Sequence, residues 1–197
     1  MRRSERAMSD ADAYAFLEHG FSGRLATISA DGYPYCVPLL YVVMDRDVYV
    51  HQARARGHLR ENVEREPRAC FELDEQDGVF SYGRFECDTG LAYRSLIVFG
   101  EIRVVTDERE REAFCVALMD KYGPGDDPRP KSFFPRLGDI TIYRLTIQRM
   151  TGKQTPLPPL SEQWPARDRT KSPNAIPPRL GNGVMPAQPP DGSESAS

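Results

Sequence analysis

The residues best suited to chemistry lie close together in "VYVHQARARGHLREN", positions 48–62. Arg54, Arg56 and His58 are three cations flanking Gly57, and Leu59 and Val63 stand four apart, so an amphipathic helix starts near Gly57. A helix N-terminus offers unpaired N–H groups and the equivalent of about half a positive charge. Cations in that position are unfavourable unless an anion sits among them. Residues 54–58 therefore suit a phosphate clamp, with guanidinium forks as paired donors and a glycine that admits close backbone approach. The plainer reading is a solvated loop whose arginines pair with Glu61, Glu64 and Glu66. His51 ends the strand "VYVH" on the same face as Tyr49. It is either a structural imidazole bonded to a carbonyl or a group projecting beside a ligand loop.

Other reactive residue types carry less. Cys36, Cys70, Cys87 and Cys115 are widely spaced and form no CxxC, which fits reduced thiols in a cytoplasm better than a disulfide framework or a zinc site. Cys87 has no histidine near it in sequence and reads as a buried or inert thiol. Asp74, Glu75 and Asp77 read as a solvated acidic turn. His19, His51 and His58 make no HExxH pattern, so metal catalysis is set aside, and no GxGxxG follows a strand.

These groups must be held by a mainly β framework. "SDADAYAFLEHG" is a helix with a Ser9/Asp12 capping box, ending at Gly20 and burying Tyr14, Leu17 and Phe21. "GRLATISA" and "YPYCVPLLYVVM" are strands joined by Asp31-Gly32, and Asp45-Arg46-Asp47 turns the chain into "VYVHQA". "RACFELDE", "LAYRSLIVFGEIRVV" and "DITIYRLTIQRMTGK" supply further strands, with a bulge or bend expected at Gly100. "TDEREREAFCVALMDKYG" is a helix capped by Thr106 or Asp107, its Phe114, Cys115 and Leu118 facing the core. In "ITIYRLTI" the apolar set shifts from Ile140 and Ile142 to Leu145 and Ile147, and "SLIVFG" is apolar at successive positions. Such strands are covered on both faces, by a helix or by a partner subunit. The fold class is an antiparallel β-barrel with a few helices.

The 197 residues are 40% hydrophobic and 28% charged, as expected of one soluble domain with an appendage. A formal charge of −3 argues against a nucleic-acid binder, no apolar run would span a bilayer, and "MRRSERAMSD" is not a secretory signal. From about residue 155 the chain holds ten of the 17 prolines. The expected organisation is a barrel domain at 9–153, an extended strap at 154–170 carrying Leu157, Leu160 and Trp164, and a disordered tail at 171–197.

Four blocks together resemble the FMN-binding split-barrel superfamily that includes pyridoxamine 5'-phosphate oxidase, and within it the nitroimidazole-resistance (Nim-type) flavoproteins. They are "GRLATISADGYPYCVPLLYV", "VYVHQARARGHLRENVEREPRACFEL", "YRSLIVFGEIRVV", and "IYRLTIQRMTGKQ" followed by "EQWP". The likeness spans roughly residues 9–165. It implies a homodimer with FMN at the subunit interface. Arg54, Arg56 and His58 match the loop that receives the flavin phosphate. Pro38 and Leu39 match the strand along the isoalloxazine ring, and Ser95 a polar contact from the long strand. His51 matches the histidine that handles substrate in Nim-type proteins. His58 departs from the lysine or arginine many relatives carry there and is a weaker cation at neutral pH. Tyr93 and Arg94, opening the long strand, are further pocket candidates, Arg94 reading rather as solvated. The activity implied is a reductase using NADH or NADPH on a small, nitroaromatic-type substrate. The alternatives are the deazaflavin F420 or haem in the same barrel, a non-catalytic flavin-binding module, and a binder of a phosphorylated metabolite.

Overall fold

A computed structural model describes residues 3–125 and 128–171. The described residues divide into two compact units, one drawn from those up to 75 and from 94 to 154, the other from 76–93 and from those after 154.

The first unit is built on seven antiparallel strands: β1 (Gly23–Ile28), β2 (Pro34–Leu39), β3 (Tyr41–Met44), β4 (Asp47–Ala53), β5 (Arg68–Ser81), β6 (Thr89–Val104) and β7 (Ile140–Thr155). β5 and β6 run on into the second unit, as does the last residue of β7. Their order is β2-β1-β5-β6-β7-β4-β3. In a flat sheet the end strands, β2 and β3, would lie about 29 Å apart, six spacings of about 4.8 Å. They are consecutive in sequence and joined by Leu40 alone. The sheet must therefore curl until its two edges meet, which makes a barrel split between β2 and β3. The run "YPYCVPLLYVVM" is thus two strands rather than one, divided where the chain crosses the split.

Local chemistry explains the turns. Asp45 and Arg46 both adopt positive φ (50° and 66°) between the paired residues Met44 and Asp47, the conformation of a tight type I′ hairpin. β1 and β2 are joined by a longer loop, in which Gly32 has φ 86° and Ser29 N–H donates to Tyr33 O at 2.8 Å. Gly100 sits where a Cβ would strike the Thr146 carbonyl, so close approach rather than a bend requires glycine there.

Three α-helices among the described residues pack on the strands. α1 (Asp10–His19) is capped by Ser9, whose hydroxyl accepts from Asp12 N–H. It buries Ala13, Phe16 and Leu17 in the interior cluster with Leu25, Phe71, Leu96 and Leu145. The expected burial of Phe21 is not observed: it is 70% exposed, because the chain has left the helix before it, and Phe16 takes the core position. α2 (His58–Arg65) adds Leu59 and Val63 to the same cluster, while its buried Asn62 donates to Thr27 Oγ1 at 3.0 Å. α3 (Glu108–Tyr122), capped by Asp107, lies on the outer face and packs Phe114 and Cys115 against Val42, Tyr49 and Ile142. The parity shift in β7 follows: Ile140 and Ile142 face α3, while Tyr143, Leu145 and Ile147 face the interior. Glu110 fastens α3 to the sheet by accepting from Tyr49 Oη (2.8 Å), Arg103 (3.1 Å) and Arg144 (3.2 Å). Arg144 Nε also donates to buried Asp47 at 2.7 Å. In the last turn of α3 the buried Lys121 amine lies 3.9 Å from the centre of the Tyr41 ring and has no hydrogen-bond partner among the described residues.

The second unit joins the tip of the β5–β6 hairpin to the strap. Trp164 N–H donates to Ser81 O, Arg169 N–H to Tyr82 O at 2.6 Å, and Arg84 pairs with Asp168 at 2.7 Å. Cys87, expected to be buried or inert, is exposed on this hairpin loop. Apart from Lys171, the expected tail lies outside the described residues. No helix among the described residues is long and apolar enough to cross a membrane.

Candidate functional site

The alternation of β4 decides where its side chains go. Val48 and Val50 point into the barrel, and Tyr49 and His51 point outward toward α3. The His51 ring packs against Phe114, with centroids 5.5 Å apart, and pairs across the ladder with Ile142. Its Nδ1 is buried without a hydrogen-bond partner among the described residues, and burial lowers its pKa below the ordinary histidine value. At neutral pH His51 is therefore an uncharged imidazole holding an unused polar atom.

The chain leaves β4 at Ala53 and enters α2 at His58, with Gly57 as an N-cap that has no side chain to bond the first N–H groups. Those donors remain available at the loop. The plainer reading of the arginines, pairing with nearby glutamates, is seen in part. Arg56 pairs with Glu64 at 2.8 Å and lies 3.8 Å from Glu61, and Arg60 pairs with Glu64 at 2.5 Å. Arg54 has no carboxylate partner among the described residues. Its guanidinium donates to Gly138 O at 3.2 Å and its backbone N–H to Asp139 O. His58 is exposed and meets the Tyr35 ring of β2 at 5.6 Å, so the loop abuts the strand that carries Pro38 and Leu39.

Arg54 and Arg56 open into a cavity of about 480 Å³ that also receives Arg60 from α2 and Arg111 from α3. Arg111 donates to Leu137 O at 2.6 Å and has no carboxylate partner among the described residues. Arg54 and Arg111 thus both bond the one short turn Leu137–Asp139, with most of their N–H donors unpaired among the described residues. Neither Arg60 nor Arg111 was legible as a site residue, since both stand in charged helical stretches that read as solvated.

The other expected residues are distributed around the barrel. Pro38 lies exposed on the outward side of β2, whereas Leu39, the next residue, turns toward the interior cluster. Ser95 is half-buried on the outer side of β6, two strands from β4, next to the inward Leu96 and on the same face as the exposed Ile97. The loop thus meets β2 through His58 and Tyr35, while His51 faces α3 and Ser95 stands apart on β6. Arg94, expected to be solvated, keeps 43% of its side chain exposed but is also tied to the fold. It pairs with Glu75 at 2.6 Å, lies over the Phe16 ring and buries its Nε. Nor is the acidic cluster a free turn, because β5 continues through it and Asp74 pairs with Arg24 at 2.6 Å.

Residues 9–154 match the sequence pattern of a family described as pyridoxamine 5'-phosphate oxidase. Comparison with curated proteins gives no significant match. Among solved structures, the flavocytochrome Anf3 of Azotobacter vinelandii is similar with a TM-score of 0.69 and 21% identity, over 98% of this chain and 88% of that one. A candidate 5-nitroimidazole antibiotic resistance protein of Bacteroides thetaiotaomicron gives 0.62 and 17%, over 75% and 85%. An FAD-binding protein of Mesorhizobium loti gives 0.55 and 24%, over 76% and 97%. At these identities the likeness is one of fold.

Proposed function

Because the chain belongs to the pyridoxamine 5'-phosphate oxidase family over residues 9–154, we propose that it is an FMN-binding oxidoreductase. In this reading it couples NADH or NADPH to reduction of a small, electron-poor substrate of the nitroaromatic type. The observation that carries the reading is the loop at 54–58, where Arg54 keeps an uncompensated guanidinium at the uncapped start of α2.

The residues present fit such a cofactor. When bound, the flavin supplies the redox chemistry, and the protein supplies position and electrostatics. Arg54 and Arg56 hold the phosphate, with His58 as a third, weaker donor at the first turn of α2. Pro38 offers an exposed apolar surface at the split of the barrel, with only the backbone of Leu39 beside it. His51 orients the substrate by a hydrogen bond at the unpartnered Nδ1, beside the Phe114 ring. Ser95 belongs to the same site if a second copy covers the outer face of β6. Ile97 and Ile28, each 38% exposed on outward positions of their strands, support such a homodimer.

The absorption spectrum of the purified protein is the first test. A two-banded flavin spectrum and release of FMN in near equimolar amount are expected. A colourless protein that also fails to take up FMN would sink the proposal. Arg54→Gln should weaken FMN by about tenfold and leave riboflavin unchanged. Full turnover in flavin-loaded His51→Ala would reduce His51 to a structural residue.

A further inference from the structure

The chain between α3 and β7 builds a separate cavity, away from the arginine loop. Its volume is about 360 Å³, within the range of about 300–1,000 Å³ typical of whole-ligand pockets. Met119 from the last turn of α3 and Pro130, Phe133 and Phe134 from the following loop give it apolar walls. Those walls face water: Phe133 is 69% exposed and Met119 50%. Large apolar side chains gathered in one concavity, rather than scattered singly over a surface, mark a place where an apolar body binds. Arg129 and Lys131 bring positive charge to the same cavity, and no carboxylate among the described residues lines it. Lys131 itself has no carboxylate partner among the described residues.

The walls are also stiff. Pro124, Pro130 and Pro135 each fix a backbone angle, and Ser132, between Lys131 and Phe133, holds a φ of 54° in the left-handed region. Phe134 packs against the cluster of Phe114 and Ile142, which ties the loop to the outer face of the sheet. A wall fixed in this way gives up little freedom when a ligand arrives.

We propose that this cavity binds an aromatic carboxylate, its flat ring system against Phe133, Met119 and the prolines and its anionic head on Lys131. A neutral aromatic would leave the cations without a partner, and an inorganic anion would leave the apolar walls wet. An aliphatic acid would satisfy both but forgo stacking on the phenylalanine rings. The inference goes beyond the flavin reading and does not depend on it, since neither His51 nor any residue of the loop at 54–58 lines this cavity.

The test is titration of the protein, flavin-free and FMN-loaded, with 2-naphthoate, followed by the fluorescence of the ligand. Neutral 2-naphthalenemethanol and single-ring benzoate serve as comparisons. 2-Naphthoate should bind once per chain and at least about tenfold tighter than the alcohol, as expected for one charge-assisted bond. Benzoate, with less apolar surface to bury, should bind about tenfold more weakly than 2-naphthoate. Lys131→Gln should weaken 2-naphthoate by about tenfold and move the alcohol by less than about twofold, whereas Phe133→Ser should weaken both. Both side chains are exposed, so these substitutions spare the fold, and melting curves check that they do. 2-Naphthoate no tighter than the alcohol, or binding unmoved in both variants, overturns the proposal. So does competition between FMN and 2-naphthoate, which would place the ligand in the flavin site. A change of oligomeric state in Phe133→Ser, read by sedimentation, would assign the patch to a second copy of the chain and overturn it as well. FMN uptake without 2-naphthoate binding defeats this inference alone, and 2-naphthoate binding without FMN uptake defeats the flavin reading alone.

Discussion

Replacing Lys121 with methionine should stabilise the protein at neutral pH and remove part of its response to alkali. Burial of this amine without a hydrogen-bond acceptor lowers its pKa from 10.5 to about 8. At about 1.4 kcal/mol per unit, that gap makes the charged form cost the fold at most about 3.5 kcal/mol. The Tyr41 ring, 3.9 Å away, and the Tyr122 ring, 5.5 Å away, are the cation's only facing partners among the described residues. Methionine keeps the stem and its packing but forgoes this attraction, worth about 0.5–2 kcal/mol, so a net gain of at most about 1.5–3 kcal/mol remains at pH 7. The sign with pH follows from proton counting. Between pH 8 and 10.5 the unfolded chain holds a proton that the native lysine has released, so wild-type stability rises across that window. Cys70 and Cys115, whose thiols are pushed up by burial, pull the other way, but they are present in both proteins and cancel in the difference. Urea unfolding at pH 7, 8, 9 and 10 measures it. The variant's advantage should shrink as pH rises. A variant less stable than wild type at pH 7, or a difference that does not change with pH, would refute the reasoning.

Three other outcomes are expected. Gly100→Ala drives a methyl into the Thr146 carbonyl and should lower the urea midpoint by the equivalent of about 1–3 kcal/mol without changing the slope. Asp47→Asn weakens the hold on Arg144 Nε and on Ile147 N–H at a position 6% exposed, and should cost about 3 kcal/mol in the same assay. Phe114→Ala should return the His51 pKa toward its ordinary value in an NMR titration. It should thereby soften the wild-type loss of stability on acidification, which arises because the unfolded chain takes up a proton that buried His51 resists.

The features readable from the sequence were those governed by local chemistry. Ser9 and Asp12 cap α1, Asp107 caps α3, and Gly57 marks the entry to α2, each through bonds within four residues. The break at Leu40 carried no glycine or proline, since the global closure of the barrel imposes it, and a local pattern cannot hold that information. The doubled apolar parity of β7 was visible, but only the structure names its cover as α3. For "SLIVFG", Ile97 stays 38% exposed among the described residues, so a partner subunit stays the proposal there. Arg111 stands far along the chain from Arg54, inside a run of acids and arginines that looks solvated. Its place in the cavity comes from the way Glu110, its neighbour, anchors α3 across Tyr49 and Arg144.

The single-residue joint at Leu40 also bears on the order of folding. β1–β2 and β3–β4 are local hairpins able to form within microseconds, whereas β4 finds β7 only by closing a loop of some ninety residues, Ala53 to Ile140 at its shortest. The two hairpins share Leu40 as their hinge, so they must swing apart before β5, β6 and β7 can fill the space between them. Refolding should accordingly be limited by the β4–β7 pairing, and substitutions at Tyr143 or Leu145 should slow it more than equally destabilising ones in the β1–β2 loop. Lengthening the joint by a few glycines would relax the hinge and leave both hairpins intact. Such an insertion is expected to lower the barrel's stability while barely touching the early phase.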